Sequence, residues 1–456
     1  MTDKSILEGK KRIHFIGIGG SGMFPLAQIL HQKGFSLTGS DNNETETLDL
    51  VRKMGIPVFM GQRAENIEGA ELIVHTSAIM ADNPELIAAR ASGVPVLERK
   101  DLLGLVTTWY DNAICVCGTH GKTTTTSMIA TILHEYGDDF GCVIGGKLPI
   151  IGGSGRVGSS GTMVCEADEF VDTFLKLSPD TAVVLNIDED HMEYFKTLEN
   201  LENSFAKFAS SATRCVIYNV GDKNAADAMA RADIKERITF SKSSEGDYYP
   251  VVTSSSGLVT KFDIYYKGEK QVGTEIHVPG RHNVLNAVAA FAAARSAGVP
   301  ADVAARGIAK FRGALRRFEK IAEVNGVTIC DDYAHHPAEI AATLGAAKEL
   351  DFKRIIAVHQ PFTYSRTFRL MKDFAAALSA ADEVVLTEIM GSREKNTYGV
   401  NSKDLAEITP NCTLTPTFSE CVEFLKKEVR AGDLVITLGC GDIYKVAKQL
   451  AKELEV

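Results

Sequence analysis

The sequence predicts an α/β chain of three domains, each a mostly parallel sheet covered by helices. Three observations carry this. Short apolar runs alternate with longer stretches of helical period. Two of the runs lead directly into glycine-rich turns that open helices. The length of 456 residues exceeds the roughly 250–300 at which a single core stops growing. Composition agrees: 45% apolar, 24% charged, 39 Gly and 13 Pro is ordinary globular usage, which sets aside a disordered or low-complexity chain.

The first segment reads as a strand over 12–16, a glycine turn, and a helix over 23–33 with apolar residues on one face. Strands follow over 35–38, ending at Gly39-Ser40-Asp41, and over 71–75 before Thr76-Ser77. The polar stretch 107–112 marks a first boundary. The second segment opens with a strand over 113–117, turns at 118–121 and continues as a helix over 122–136. Strands over 162–165, 181–185 and 215–219 follow. The glycine-rich 145–161 reads as a long loop, and serine-rich 241–256 as a surface hairpin region. An alanine-rich helix over 283–297 precedes a second boundary near 312–316. A third set of strands then spans 327–330, 354–358, 383–386 and 434–438.

A net charge of −10 would repel a polyphosphate backbone over most of the surface, which argues against nucleic acid as a partner. No run of about 18 apolar residues marks a membrane span, and the polar start lacks a signal peptide's apolar stretch, so a cytoplasmic location is expected. Nine cysteines without a C-x-x-C pair support neither a disulfide framework nor a thiolate zinc site. Cys115 and Cys117 alternate on one strand and share a face, as two small buried side chains would.

Two glycine loops carry the chemistry. Gly17-Ile18-Gly19-Gly20-Ser21-Gly22 has G-x-G-x-x-G spacing, follows a strand and has Asp41 at the end of the next strand. Its amides and helix start suit a diphosphate, which NAD, FAD and UDP-sugars share, so the loop names the diphosphate and not the ligand. The second loop, Gly118-Thr119-His120-Gly121-Lys122-Thr123-Thr124, again joins strand to helix. Its lysine can neutralise β- and γ-phosphate charge and the next hydroxyl can reach Mg²⁺, as in a P-loop. Val116 stands where the usual spacing has glycine, so the loop is a shortened variant. A metal then needs hard ligands or imidazole at strand ends, and Glu166 and His191 occupy such positions.

These motifs occur in one order: GIGGSGM, GTHGKTTTTSM, CEADEF, NIDEDHMEYF, GRHNVLNA, RRFE, DDYAHHP and HQPFTYSRT. The combination closely resembles the Mur ligase family over nearly the whole chain. The resemblance implies a Rossmann-like UDP-sugar-binding domain over 1–110 and a central P-loop ATPase-type sheet domain over 111–315. A C-terminal Rossmann-like domain over 316–456 would close on ATP and the amino acid. It further implies an ATP-dependent ligase that phosphorylates the lactyl carboxylate of UDP-N-acetylmuramate and joins L-alanine to it, with ATP and two Mg²⁺ ions. Partners would be these small molecules, with no nucleic acid and no membrane insertion.

By the same resemblance Gly17, Gly19, Gly20, Ser21 and Gly22 hold the UDP diphosphate, with Asp41, His75, Thr76 and Ser77 near the UDP-sugar. Gly118, Thr119, His120, Gly121, Lys122, Thr123 and Thr124 cradle ATP, and Asn283 and Asn286, three apart on one helix face, reach the adenine. Thr123 and Glu166 would hold one Mg²⁺ and His191 a second. Arg317 and Asp332 meet ATP, His335 and His336 lie near the ribose or the incoming amino acid, and Arg366 contacts anionic groups of substrate. Several sister ligases carry a carbamylated lysine after the metal histidine; here Lys207 reads as a surface residue of a helix. A related ligase that adds a whole tripeptide to the same nucleotide shares the ATP motifs. An NAD-dependent oxidoreductase built on 17–22 would leave the Lys122 loop unused.

Overall fold

The computed structural model describes residues 4–20, 22–256, 258–392 and 394–455, so Ser21 lies outside the described residues. The chain divides into two compact units, one made of Met1–Thr253, Lys261–Glu275 and Val284–Phe311, the other of Ser254–Thr260, Ile276–Asn283 and Arg312–Val456.

The first unit contains a five-stranded sheet in the order Val58–Met60, Ser36–Asp41, Arg12–Ile16, Leu72–His75, Val96–Glu98, with every neighbouring pair parallel. The first strand lies centrally, so the chain reverses its winding beside it and opens a crevice at the strand's carboxyl end. Helix Phe24–Gln32 leaves from that end.

The larger sheet runs from Glu269–Ile276 through Val259–Tyr266, Tyr248–Ser256, Arg237–Phe240, Cys215–Asn219, Thr181–Val184, Asn112–Cys117, Thr162–Glu166 and Gly141–Leu148 to Gly153–Arg156. Asn112–Cys117 is paired in parallel on both sides, and its residues 113–117 are fully buried, as a central α/β strand requires. Helix Lys122–Tyr136 follows it with the bounds expected from the sequence. Cys115 and Cys117 are buried there as free thiols, and Lys207 is an exposed residue of helix Leu198–Ser210.

The expected loop over 145–161 instead carries strand at 145–148 and 153–156. Gly141–Leu148 and Gly153–Arg156 form an antiparallel pair at the sheet edge. Its glycines are there for closeness: a Cβ on Gly155 would lie 2.7 Å from Pro25 Cβ, and one on Gly158 1.9 Å from the Asp139 carbonyl oxygen. The hairpin thus packs on helix Phe24–Gln32. The polar stretch 107–112 is anchored in the interior at its start, since Thr107 is buried and its hydroxyl accepts from the Ser178 amide at 3.1 Å. The two sheets of this unit therefore share one apolar cluster, reaching from Leu7 to Ala232.

The second unit holds a six-stranded sheet in the order Glu319–Val324, Val327–Asp332, Asp433–Leu438, Arg354–His359, Glu383–Leu386, Cys412–Leu414. Only the first pair is antiparallel. Separate apolar clusters cover its two faces. Among the described residues no helix is long and apolar enough to cross a membrane.

Candidate functional site

The loop after Arg12–Ile16 is drawn tightly against its neighbours. Gly17 and Ile18 both donate to the Ser40 carbonyl, at 2.8 and 3.1 Å, and the Gly19 amide donates to Asp41 Oδ2 at 3.0 Å. Asp41 Oδ1 accepts from the Asn42 and Asn43 amides as well, so this carboxylate orders the turn. Gly17 has φ 84, and a Cβ on it would lie 2.7 Å from Thr76 Cγ2, so the turn admits only glycine. His75 Nδ1 meets the Thr76 carbonyl oxygen at 3.0 Å, and Ser77 is exposed. A Cβ on Gly22 would lie 3.0 Å from Arg99 Cδ and 3.3 Å from Nη1. Arg99 thus sets a guanidinium beside the loop. Nothing in its spacing from 17–22 marks it; it arrives as the first residue of helix Arg99–Thr107, which follows the edge strand.

The second loop is clamped by a residue the motifs left unassigned. Asn186 accepts from the His120 amide at 2.8 Å, donates back to the His120 carbonyl at 3.0 Å, and its own carbonyl accepts from the Thr119 amide. Asp188 donates its amide to the Thr119 hydroxyl, and His120 Nε2 lies 3.6 Å from Asp188. Gly121, at φ 85, starts the helix with no side-chain cap, leaving the orphan amides of the first turn for an anion. Asn286 lies against this turn: its Oδ1 would be 2.8 Å from a Cβ on Gly121. Asn283 instead donates its side-chain amide to the Pro279 carbonyl at 2.6 Å.

Lys122 Nζ donates to the Gly118 carbonyl at 2.8 Å and to both oxygens of Glu169, at 2.8 and 3.0 Å. Burial lowers the lysine's proton affinity, but the carboxylates of Glu169, Asp168 and Glu166 outweigh it and keep it above the usual value. Glu169 is 1% exposed, and burial raises its carboxyl against the pull of Lys122. Glu169 was legible only as part of the CEADEF run.

Thr123 donates its hydroxyl to Glu166 Oε1 at 3.1 Å, and the Gly145 amide donates to Oε2 at 2.8 Å. A Cβ on Gly145 would fall 2.6 Å from Glu166, so the edge hairpin must carry glycine there to leave the carboxylate its place. Two adjoining hard oxygens suit Mg²⁺, which takes one or two protein ligands and keeps several waters. His191, at φ 55, starts the short helix Met192–Phe195, and its ring packs on Phe170 at 4.6 Å. Among the described residues no three His, Cys, Asp or Glu side chains cluster as a ready metal cage.

In the second unit, Asp332 ends a central strand and accepts from the Phe318 and Ala334 amides at 2.7 and 2.8 Å. Burial raises its carboxyl to about 6, against the lowering effect of Arg317. Arg317 sits over the Tyr333 ring at 5.7 Å. Its neighbour Arg316 has a structural task, pairing with Asp331 at 2.8 Å and donating to the carbonyls of Gly439 and Gly441. His335 Nδ1 lies 3.2 Å from Glu339, and burial lowers its proton affinity. His336 caps helix Pro337–Lys348 reciprocally with Glu339, so its ring does structural work at that position. Arg366 has a buried Nη1 with no hydrogen-bond partner among the described residues, a donor suited to an anionic group.

The whole chain has relatives. Residues 12–108 match the Mur ligase family catalytic domain, 116–294 the Mur ligase middle domain, and 316–441 the glutamate ligase domain of Mur ligases. The UDP-N-acetylmuramate--L-alanine ligase of Caldanaerobacter subterraneus subsp. tengcongensis is 42% identical over 98% of both chains. That of Agathobacter rectalis is 42% identical over 97% of this chain and 98% of its own. Among solved structures, UDP-N-acetylmuramate-alanine ligase MurC of Thermotoga maritima is 29% identical with a TM-score of 0.84, covering 97% of this chain and 98% of its own. The murein peptide ligase mpl of Psychrobacter arcticus is 25% identical with a TM-score of 0.74, covering 98% and 99%. With two clamped phosphate-type loops, three parallel-based sheets and these matches along its length, the chain belongs to the Mur ligase family.

Proposed function

We propose that this chain is a cytoplasmic ATP-dependent ligase that joins L-alanine to the lactyl carboxylate of UDP-N-acetylmuramate in the synthesis of peptidoglycan precursor. What supports the reading most is the match over almost the entire length to relatives named for that reaction.

In this reading residues 17–22, with Arg99 alongside, seat the UDP diphosphate, and residues 118–124 seat the triphosphate of ATP. A carboxylate oxygen of the sugar attacks the γ-phosphorus, the bond to the bridging oxygen breaks and ADP leaves. The amine of L-alanine then attacks the acyl carbon, loses a proton, and expels phosphate as the amide forms. Thr123 and Glu166 would hold one Mg²⁺ and His191 a second; when bound, these ions supply positive charge against the repulsion between carboxylate and phosphate. Lys122 leaves Glu169 and the loop carbonyls to take the β- and γ-phosphates. Asn286, which lies against Gly121, would meet the nucleotide, and Asn186 keeps the loop in shape. By the family resemblance Arg317 and Asp332 would serve ATP, His335 the ribose or the incoming amino acid, and Arg366 anionic groups of substrate.

The murein peptide ligase likeness favours a second reading, in which a tripeptide replaces L-alanine. ADP release by the purified protein decides between them. It should require UDP-N-acetylmuramate, Mg²⁺ and L-alanine together; turnover with the tripeptide and not with L-alanine would transfer the assignment.

A further inference from the structure

One face of the five-stranded sheet is packed in an unusual way. The opposite face builds the large apolar cluster, whereas on this one the cluster of buried apolar residues among the described residues is small: Ile16, Ile73 and Ala89. Ile67, Ala70, Ile79, Val94 and Val96 pack around them partly buried, and polar side chains are buried among them. His14, Ser40 and Glu85 are all completely buried, on two adjacent strands and on helix Pro84–Ala91. Glu85 Oε1 meets His14 Nε2 at 2.7 Å, Glu85 Oε2 accepts the Ser40 hydroxyl at 2.6 Å, and His14 Nδ1 meets the Thr38 hydroxyl at 2.8 Å. The carboxylate also sits in the first turn of its helix, whose free amide ends favour a negative charge.

A buried carboxylate costs desolvation that an apolar side chain of similar size would avoid, so it is weak evidence for stability as such. What it supplies is direction. Ser40, gripped through its hydroxyl by Glu85, is the residue whose carbonyl accepts from both Gly17 and Ile18. The next residue, Asp41, takes the Gly19 amide. Three successive amides of the diphosphate-type loop therefore hang from a two-residue strand end that Glu85 fixes from behind.

We propose that Glu85, with His14, is a positioning residue for the nucleotide sugar: it holds the end of Ser36–Asp41, and through it the course of the 17–22 loop, before the diphosphate arrives. The inference rests on reading residues 17–22 as the UDP-sugar seat.

The test compares Glu85→Gln, which can keep both hydrogen bonds, with Glu85→Leu, which keeps neither. Each is measured for binding of UDP-N-acetylmuramate and of ATP by calorimetry, and for amide hydrogen exchange at Gly17 and Ile18. Glu85→Leu should weaken UDP-N-acetylmuramate binding by about tenfold, the worth of about one buried hydrogen bond. It should speed exchange at those two amides and leave ATP binding as in the parent. Glu85→Gln should restore all three readouts. Ser40→Ala, which removes one hydroxyl, should act in the same direction and serves if Glu85→Leu fails to fold. Equal losses for ATP and the nucleotide sugar would mean a merely structural role and overturn the inference. If UDP-N-acetylmuramate does not protect the parent loop from exchange, the seat itself is misassigned. If it does protect the loop but Glu85→Leu and Ser40→Ala bind like the parent, the positioning role alone fails.

Discussion

Replacing Lys122 by alanine should do more than remove a phosphate ligand, because it strips Glu169 of its counter-ion. The Glu169 side chain is 1% exposed and spends both oxygens on that lysine. Breaking a buried ion pair on one side costs about 3–5 kcal/mol. The stranded carboxylate can escape by taking a proton, which from an ordinary value of 4.5 costs about 3.4 kcal/mol at pH 7. That route caps the deficit at about 3 kcal/mol and makes it depend on pH. With its folded proton affinity raised further, Glu169 destabilises the variant above its unfolded value, so the deficit grows as pH rises from about 4.5 and shrinks by about 1.4 kcal/mol for each unit of acidification. Calorimetric unfolding of Lys122→Ala should thus show a depressed transition at pH 7 that approaches the parent at pH 5. Lys122→Ala/Glu169→Gln should recover most of the stability and none of the ADP release. A single variant that melts like the parent at pH 7, or whose deficit is the same at pH 5, would refute the argument.

Three further outcomes are expected. Gly121→Ala should cost about 1–2 kcal/mol from its left-handed backbone alone, and its Cβ, 2.8 Å from Asn286 Oδ1, should raise the KM for ATP; an unchanged KM would remove Asn286 from the nucleotide site. The Asp332 carboxyl, raised by burial to about 6, should titrate there by NMR. Because its folded value is raised, its burial costs nothing below about pH 4 and about 3 kcal/mol above about pH 6, and an apparent value under 4 would contradict the burial. Asp41→Asn should weaken UDP-N-acetylmuramate binding by about tenfold with ATP binding retained, since the carboxylate orders the amides of Gly19, Asn42 and Asn43; equal weakening of both would contradict its place at the first loop.

Where pattern and packing agree, the sequence sufficed to locate the elements. Helix Lys122–Tyr136 and strands Cys215–Asn219 and Glu383–Leu386 appear with their expected bounds, because apolar runs ending in turn residues leave little choice. The hairpin within 141–156 was hidden because its glycines read as flexibility, whereas Gly145 and Gly155 are there to let Glu166 and Pro25 approach. Three-residue edge strands such as Val58–Met60 and Cys412–Leu414 are too short to show a period. The loops were legible because phosphate chemistry demands fixed spacing. Their supports were not: Asn186, Glu169, Arg99 and Glu85 come from other elements, where only the fold brings them close.

The central claim is that the sugar's carboxylate becomes an acyl phosphate before the amide forms. UDP-N-acetylmuramate carrying ¹⁸O in its lactyl carboxylate tests this directly. The account predicts that turnover with ATP and L-alanine delivers one ¹⁸O from each carboxylate into the released phosphate. Phosphate free of ¹⁸O would contradict it.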